Sequence, residues 1–387
     1  MRNNASWLCC LLLPPILLTA PLSSCNQKQA QVDNNEWQTL LIGSYAPASE
    51  EGIRMYSFNQ ETGESQLICG LKGIDNPSFL TITDDGTRVY AVGENNREQA
   101  TVHLLLLSNT EGTLSLADTK HVHGADPCHL SVTPDSTHLI TANYSGGSIT
   151  SFPLHEDGTL EEGQVVTFTG NGPDSSRQEC AHLHCIYFSP DKKWLMANDL
   201  GSDCIHMFPL TPDTPLGIDT TIHRQVRVTP GSGPRHAVFD NEGKYLYLLN
   251  ELKGDVVVWA YSDGQMEQIQ SIQADSTGAR GSADIHLSPD GKYLYASNRL
   301  KADGIAIFQV DTTTGLLTHI GYQDTGAHPR NFAITPNGKF LLACCRDANR
   351  IEVYQRDPDT GMLKDTGKHI DMLKPVVVKL TTGAAGK

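Results

Sequence analysis

The chain has 387 residues, of which 44 are acidic and 29 basic, for a formal net charge of −15 at pH 7. That balance argues against a nucleic-acid partner, which needs a basic face, and fits a soluble acidic surface. With 34 Gly, 20 Pro and no long polar tract beyond the N-terminal region, the composition suits an all-β protein rich in turns.

Residues 1–25 read as a leader. Arg2 opens it, residues 7–20 are apolar apart from Pro14, Pro15 and Thr19, and Leu22-Ser23-Ser24-Cys25 follows at once. The apolar run is too short and too broken by proline for a membrane span, and has the layout of an export signal. The LSSC tetrapeptide resembles a bacterial lipobox, which would make Cys25 the lipidated first residue of the mature chain; an ordinary secretory signal cleaved nearby is the alternative. Residues 26–36 are polar without apolar periodicity, as expected of a flexible tether. The expectation is an exported protein held at the bacterial cell envelope by a lipid anchor alone.

From residue 37 to 382 one hairpin pattern recurs six times, at residues 76–94, 126–144, 182–200, 233–251, 281–299 and 328–346. Each copy is a short alternating apolar strand, a polar turn, then a strand such as KYLYASN or KFLLACC. The turn position falls at Gly86, Ser136, Lys192, Gly243, Gly291 and Gly338, giving steps of 50, 56, 51, 48 and 47 residues. A β pattern at this period indicates propeller blades. Further strands such as VVVWAYS (256–262) and IEVYQRD (351–357) complete four per blade. The strand-like ends, LLIGSY near residue 40 and PVVVKL near 378, are expected to pair in a seventh blade that closes the ring and removes two exposed edges. The fold expected is a single seven-bladed β-propeller of four-stranded blades.

Outside the leader the cysteines are Cys69, Cys128, Cys180, Cys185, Cys204, Cys344 and Cys345. An odd number scattered through strand-like segments does not suggest a disulfide framework, and no CxxC pair marks a metal site. They read as small buried hydrophobes; neither a metal nor a cofactor is expected.

Aligning the hairpins on their turns puts specific residues at one end of every blade. Eight positions before the turn stand Ser78, Cys128, His184, Arg235, Ala283 and Arg330; eight after it stand Glu94, Tyr144, Leu200, Glu251, Arg299 and Arg346. In residues 233–251, GPRHAVFDNEGKYLYLLNE, Arg235 and Glu251 should therefore meet. One position nearer the turn lie His129, His236, Asp284 and Asn331. Inner-strand ends face a propeller's central channel, so this rim collects arginines, carboxylates and histidines around a mouth suited to a small anion, since the guanidinium fork matches carboxylate or phosphate.

The segments DPCHLSVTPD, RQECAHLHCIYFSPD, GSGPRHAVFD with YLYLLNEL, YLYASNR and HPRNFAITPNGKFLL resemble the seven-bladed lactonase family, over residues of about 39 to 365. That family includes the propeller-type 6-phosphogluconolactonase and is similar to the fungal carboxy-muconate cyclase. The resemblance implies lactone hydrolysis or formation without metal. It also implies His184, Arg235, Arg299 and Glu251 as catalytic residues. Substrate-binding candidates are His129, His236, Arg330 and Asn331 from the rim, with Arg177 and His182 from the RQE…H-x-H motif. Residues 282–286, Ser-Ala-Asp-Ile-His, depart from the more usual Ala-Glu-Ile-Arg.

The function expected is hydrolysis of a sugar-acid-type lactone. The arginines would hold the substrate's anionic group and the developing oxyanion, and His184 or Glu251 would act as general base on water. His184 is the better base, because Glu251 beside Arg235 should have a lowered pKa. The alternatives are a muconate-type lactonizing cyclase, or a non-catalytic propeller that binds a sugar or anion at the envelope. The partner is a small-molecule lactone or sugar acid.

Overall fold

The computed structural model describes residues 36–381; the expected leader, Cys25 and most of the tether lie outside the described residues. Seven four-stranded antiparallel sheets follow one another around a ring. In six of them the strands run in chain order from the axis outward, as in Pro234–Phe239, Tyr245–Asn250, Asp255–Ser262 and Gln265–Gln273. The seventh is composite. Its innermost strand is the C-terminal Pro375–Leu380, paired antiparallel with the N-terminal Trp37–Ser44. The expected closure of the ring by the two chain ends is what is found.

Strict alternation along each strand makes the ring. In Tyr245–Asn250, Leu246 and Leu248 pack with Val257 and Trp259 against Met196, Ile205 and Met207 of the preceding blade. Tyr247 and Leu249 point the other way, onto Ile285, Leu294, Ala296 and Phe308 of the following blade. Each strand thus supplies a core to both neighbours, with about 1.5–3 kcal/mol for each large apolar side chain removed from water. Tyrosines at one equivalent position lock neighbouring blades: the hydroxyls of Tyr90, Tyr247 and Tyr295 donate to the carbonyls of Gly158, Gly315 and Gly361 at 2.8, 3.1 and 2.7 Å.

Five of the seven innermost strands are entered in one way. A residue with positive φ precedes a proline at Asn76-Pro77, Asp126-Pro127, Gly233-Pro234, His328-Pro329 and Lys374-Pro375. In five inner strands, three of them entered this way, the second residue falls in a β-bulge. Ladder pairing slips between Pro127 and His129, Leu183 and Cys185, Pro234 and His236, Ser282 and Ile285, and Pro329 and Asn331. Simple equidistance from the turn would pair Arg235 with Glu251 in the ladder. Instead Pro234 pairs with Asn250 and His236 with Leu249, leaving Arg235 as the extra residue. A bulge places two residues against one and re-aims the side chain. The rim residues Cys128, His184, Arg235 and Arg330 all occupy such positions.

Candidate active site

Three arginines converge on one carboxylate. Arg235 donates from Nε to Oε2 of Glu251 at 2.9 Å, Arg177 donates from Nη2 to Oε1 at 2.6 Å, and Arg299 Nη2 lies 3.4 Å from Oε2. Arg235, Arg299 and Glu251 are buried, while Arg177 is partly open to solvent. Burial alone would raise the carboxyl, but the guanidiniums of Arg299, Arg235 and Arg177 pull it down to about 2. Glu251 is therefore ionised at any physiological pH. Further donors of two of these arginines are also placed: Arg235 Nη1 on the carbonyl of Ala283, and Arg299 Nε on that of Gly281 at 2.8 Å, with Nη1 3.3 Å from His328 Nε2.

Arg177 reaches this layer from a long excursion between strands Gln164–Thr167 and Leu183–Phe188. Gln178 Nε2 ties that loop to the carbonyl of Leu200 at 2.9 Å, and Asp174 pairs with Arg280 two blades on. Because the loop carries no periodic pattern, the sequence points to Arg177 only through its motif.

Arg330 differs from the other arginines. Its guanidinium lies 5.3 Å over the ring of Tyr45 and forms no hydrogen bond or ion pair among the described residues. Burial disfavours its charge, but Tyr45 and Glu94 more than offset that and raise its pKa. The Tyr45 hydroxyl in turn donates to Glu94, with Oε1 at 2.8 Å, and Ser78 donates to the same carboxylate. Tyr45 belongs to the turn after the N-terminal strand, outside the repeated hairpin, so the aligned register does not reveal it. Four guanidiniums face two carboxylates here, and the layer carries net positive charge.

His184 stands beside this cluster, 4 % exposed. Its Nδ1 lies 3.7 Å from the Cys128 thiol, and its Nε2 has no partner among the described residues. Burial, then Arg235, His236 and Arg330, hold its pKa well below the ordinary histidine value, so the ring is neutral with a lone pair to offer. His182 is different: Nδ1 is 3.0 Å from the carbonyl of Tyr144, Nε2 is 3.3 Å from Glu179, and the ring stacks on Tyr144 at 4.4 Å. Its polar atoms are engaged, and it supports the Tyr144 wall. Arg346 turns aside to Asp347 and His328 at the outer edge.

One residue further along the inner strands, a second layer forms the waist of the channel. His236 Nδ1 meets Asp284 Oδ1 at 2.7 Å, and Asp284 Oδ2 accepts from Asn331 at 2.5 Å, His286 at 2.9 Å and the Phe332 amide at 3.2 Å. His129 leans on Phe79, with ring centroids 4.1 Å apart. The departure at residues 282–286 thus supplies two members of this layer, Asp284 and His286. The structure brings Arg177, His184, Arg235, Glu251, Arg299 and Arg330 together in the upper layer. His129, His236 and Asn331 lie beneath them.

Seven four-stranded blades enclose this arginine and glutamate cluster in their central channel. The description "Lactonase, 7-bladed beta-propeller" matches residues 39–380, and the chain belongs to that family of lactone-hydrolysing enzymes. Among named relatives, the 6-phosphogluconolactonase of Formosa agariphila is 37% identical over 332 residues, covering 84% of this chain and 94% of its own. That of Bacillus subtilis is 31% identical over 351 residues, covering 87% and 97%. Among crystal structures, a Bacteroides fragilis protein provisionally called a 6-phosphogluconolactonase superposes with a TM-score of 0.86 at 48% identity, covering 90% of this chain and 99% of its own. The periplasmic gluconolactonase of Pseudomonas aeruginosa gives 0.83 at 29% identity, covering 89% and 99%.

Proposed function

We propose that the protein hydrolyses the lactone of a sugar acid, in the manner its 6-phosphogluconolactonase relatives are named for, with chemistry carried by side chains of the upper channel layer. The observation that carries this reading is the neutral, buried His184 beside a layer of net positive charge. In this reading Arg330, the one arginine of that layer with neither hydrogen bond nor ion pair among the described residues, takes the substrate's anionic group. Arg235 and Arg299, fixed in position by Glu251, stabilise the oxyanion that forms when water attacks the lactone carbonyl. His184 Nε2 accepts the proton of that water and returns it to the ring oxygen as the C–O bond breaks. No metal is used in these steps. Glu251, with its pKa near 2, is too weak a base for this work and acts by holding three guanidiniums in place. His129, His182, His236 and Asn331 back the wall on which the substrate lies.

Binding would itself improve the base. A substrate anion on Arg330 and beside Arg235 cancels the positive field that depresses His184, raising its basicity in the complex. The test is a pH-stat panel of phosphorylated and unphosphorylated aldonolactones. Turnover that disappears in His184→Ala supports the reading, whereas saturable binding with no turnover of any lactone overturns it in favour of a binding propeller.

A second reading concerns the substrate. The likeness to a periplasmic gluconolactonase, together with the leader pattern of residues 1–25, favours an unphosphorylated lactone met outside the cytoplasm. In that reading the leader exports the chain, Cys25 carries the lipid, and residues 26–36 tether the propeller to the envelope. If Cys25→Ala still partitions with membranes, the lipid anchor is wrong.

A further inference from the structure

Beneath the arginine layer the waist contains an arrangement that takes no part in the proton transfer and anion binding proposed above. His129, Cys185 and His236 are buried on three adjacent inner strands, and one donor atom from each lies within 4.8 Å of the others. They border a cavity of about 240 Å³ whose wall also includes Phe79, Asp284 and Lys379. His236 Nε2 is fully buried without a hydrogen-bond partner among the described residues. Leaving a buried lone pair unmatched is costly, and its twin, Nδ1, is committed to Asp284 at 2.7 Å. That carboxylate makes Nδ1 the protonated nitrogen and leaves the Nε2 lone pair unengaged among the described residues. A carboxylate behind a histidine is the usual outer partner of a metal ligand.

We propose that His129, Cys185 and His236 form a buried three-coordinate copper(I) site in the channel waist, distinct from the lactonase layer above it. The Cys185 Sγ to His129 Nε2 distance of 3.6 Å is the span left by a sulfur and a nitrogen each roughly 2.0–2.3 Å from a shared ion. Two imidazoles and a thiolate are a copper set, and thiolate selects the soft monovalent ion. Three protein ligands satisfy Cu⁺, which is stable at trigonal coordination, whereas Zn²⁺ on the same three would have to recruit water as a fourth ligand. Charge points the same way. Cu⁺ with a thiolate is neutral overall and adds nothing to a channel already holding Arg235 and Lys379. On binding, the S–H bond of Cys185 is replaced by S–Cu and its proton leaves to solvent. His129 gives up one long contact, since its Nδ1 accepts the Ile186 amide at 3.3 Å and must carry the proton once Nε2 binds copper.

Asp199, Cys204 and His206 form a comparable buried trio without this property. Asp199 Oδ2 already receives Ser202 and His206 Nε2, and His206 Nδ1 is 2.9 Å from His223. Its lone pairs are taken.

The experiment loads the purified protein with Cu⁺ as its acetonitrile complex, anaerobically, and counts copper per chain after gel filtration. One tightly held Cu⁺ per chain is expected, with two nitrogens and one sulfur by X-ray absorption. Cys185→Ser and His236→Gln should each weaken binding at least about 100-fold, and Asp284→Asn by about 10- to 100-fold through the loss of the outer partner. Cys180→Ser, which alters an exposed thiol, should leave binding unchanged. Failure of the wild-type protein to retain copper, ligation by more than one sulfur, or full loading of folded Cys185→Ser would each overturn the site. Tighter retention of Zn²⁺ than of Cu⁺ would overturn the assignment of the metal.

Discussion

Arg235 and Glu251 are hydrogen-bonded at 2.9 Å although they are not partners in the strand ladder. The bulge at Arg235 frees its side chain from the sheet face and swings it to the axis, where the carboxylate beyond the neighbouring strand collects it with Arg177 and Arg299. Glu251→Gln should therefore act at two levels. Three guanidiniums would crowd together without their counter-charge, and breaking a buried pair by removing one partner costs about 3–5 kcal/mol. Catalysis should fall about 10²–10³-fold in kcat as the oxyanion donors lose their aim. Denaturant melts and steady-state kinetics check both, and Glu251→Asp should recover part of the activity.

His184→Gln should lower kcat by roughly 10²–10⁴ while leaving KM nearly unchanged, because it removes proton transfer and not binding. The wild-type profile carries a second signature. With the pKa of His184 held well below 6.5 in the free enzyme, the acid limb of kcat/KM should lie below the ordinary histidine value. The limb of kcat should sit at higher pH, since bound anion relieves the depression. An acid limb at the same pH in both, or one that survives His184→Gln, would remove His184 as the base.

Arg330→Met should raise KM about 10- to 100-fold with a smaller change in kcat, as expected of a group that binds ground and transition states alike. The same variant separates the two substrates. A phosphorylated lactone should lose affinity to a much greater degree than a neutral one, because only the former presents a dianion to the guanidinium.

The ring and most of the charged layer were legible in the sequence for one physical reason. A turn residue of positive φ recurring about every 50 residues, glycine in four hairpins and Ser136 or Lys192 in the other two, sets the register of six blades, and that common register puts His184, Arg235, Glu251, Arg299 and Arg330 at one end. What the spacing could not show is the bulge, which separates neighbours such as Arg235 and His236 into different layers. Adjacent rim candidates therefore read as one set in the sequence and form two in space. Tyr45 and Arg177 stand outside that register, one beyond the N-terminal strand and the other on an aperiodic loop, so Tyr45 carried no signal and Arg177 stood out only through its motif. The entry pattern of a left-handed residue, a proline and then the rim residue is a signal that the sequence does carry, at residues 76–78, 126–128, 233–235 and 328–330.

Closure of the ring rests on a single ladder. Leu40 pairs with Leu380 and Ile42 with Val378, and the Val378 amide also donates to Asn331 Oδ1 at 2.8 Å. Truncation after residue 374 would remove the innermost strand of the composite blade, expose the edge of Trp37–Ser44 and uncover the apolar faces of two neighbours. The expected outcome is loss of the monomer peak in gel filtration. Val377→Asp, which buries a charge in the same seam, should lower the melting temperature without removing the strand.

Stability should fall in two stages on acidification. His236 is held at about 4 by burial and by Arg235, and His328 at about 3 by burial and by Arg299. Both stay neutral when folded but bind a proton in the unfolded chain below about pH 6.5. Between these values the unfolded state holds more protons, so stability drops as pH falls from about 6.5 towards 4. Glu251 then contributes in the same direction. Its folded pKa near 2 lies below that of a free glutamate, so its stabilisation is present above about pH 4.3 and is lost as pH falls towards 2. Urea midpoints at pH 7.5, 5.5 and 4.0 should decrease steadily, and His236→Gln should make the first stage shallower while leaving the second. A midpoint independent of pH from 7.5 to 4.0 would mean that these histidines are protonated in the folded channel.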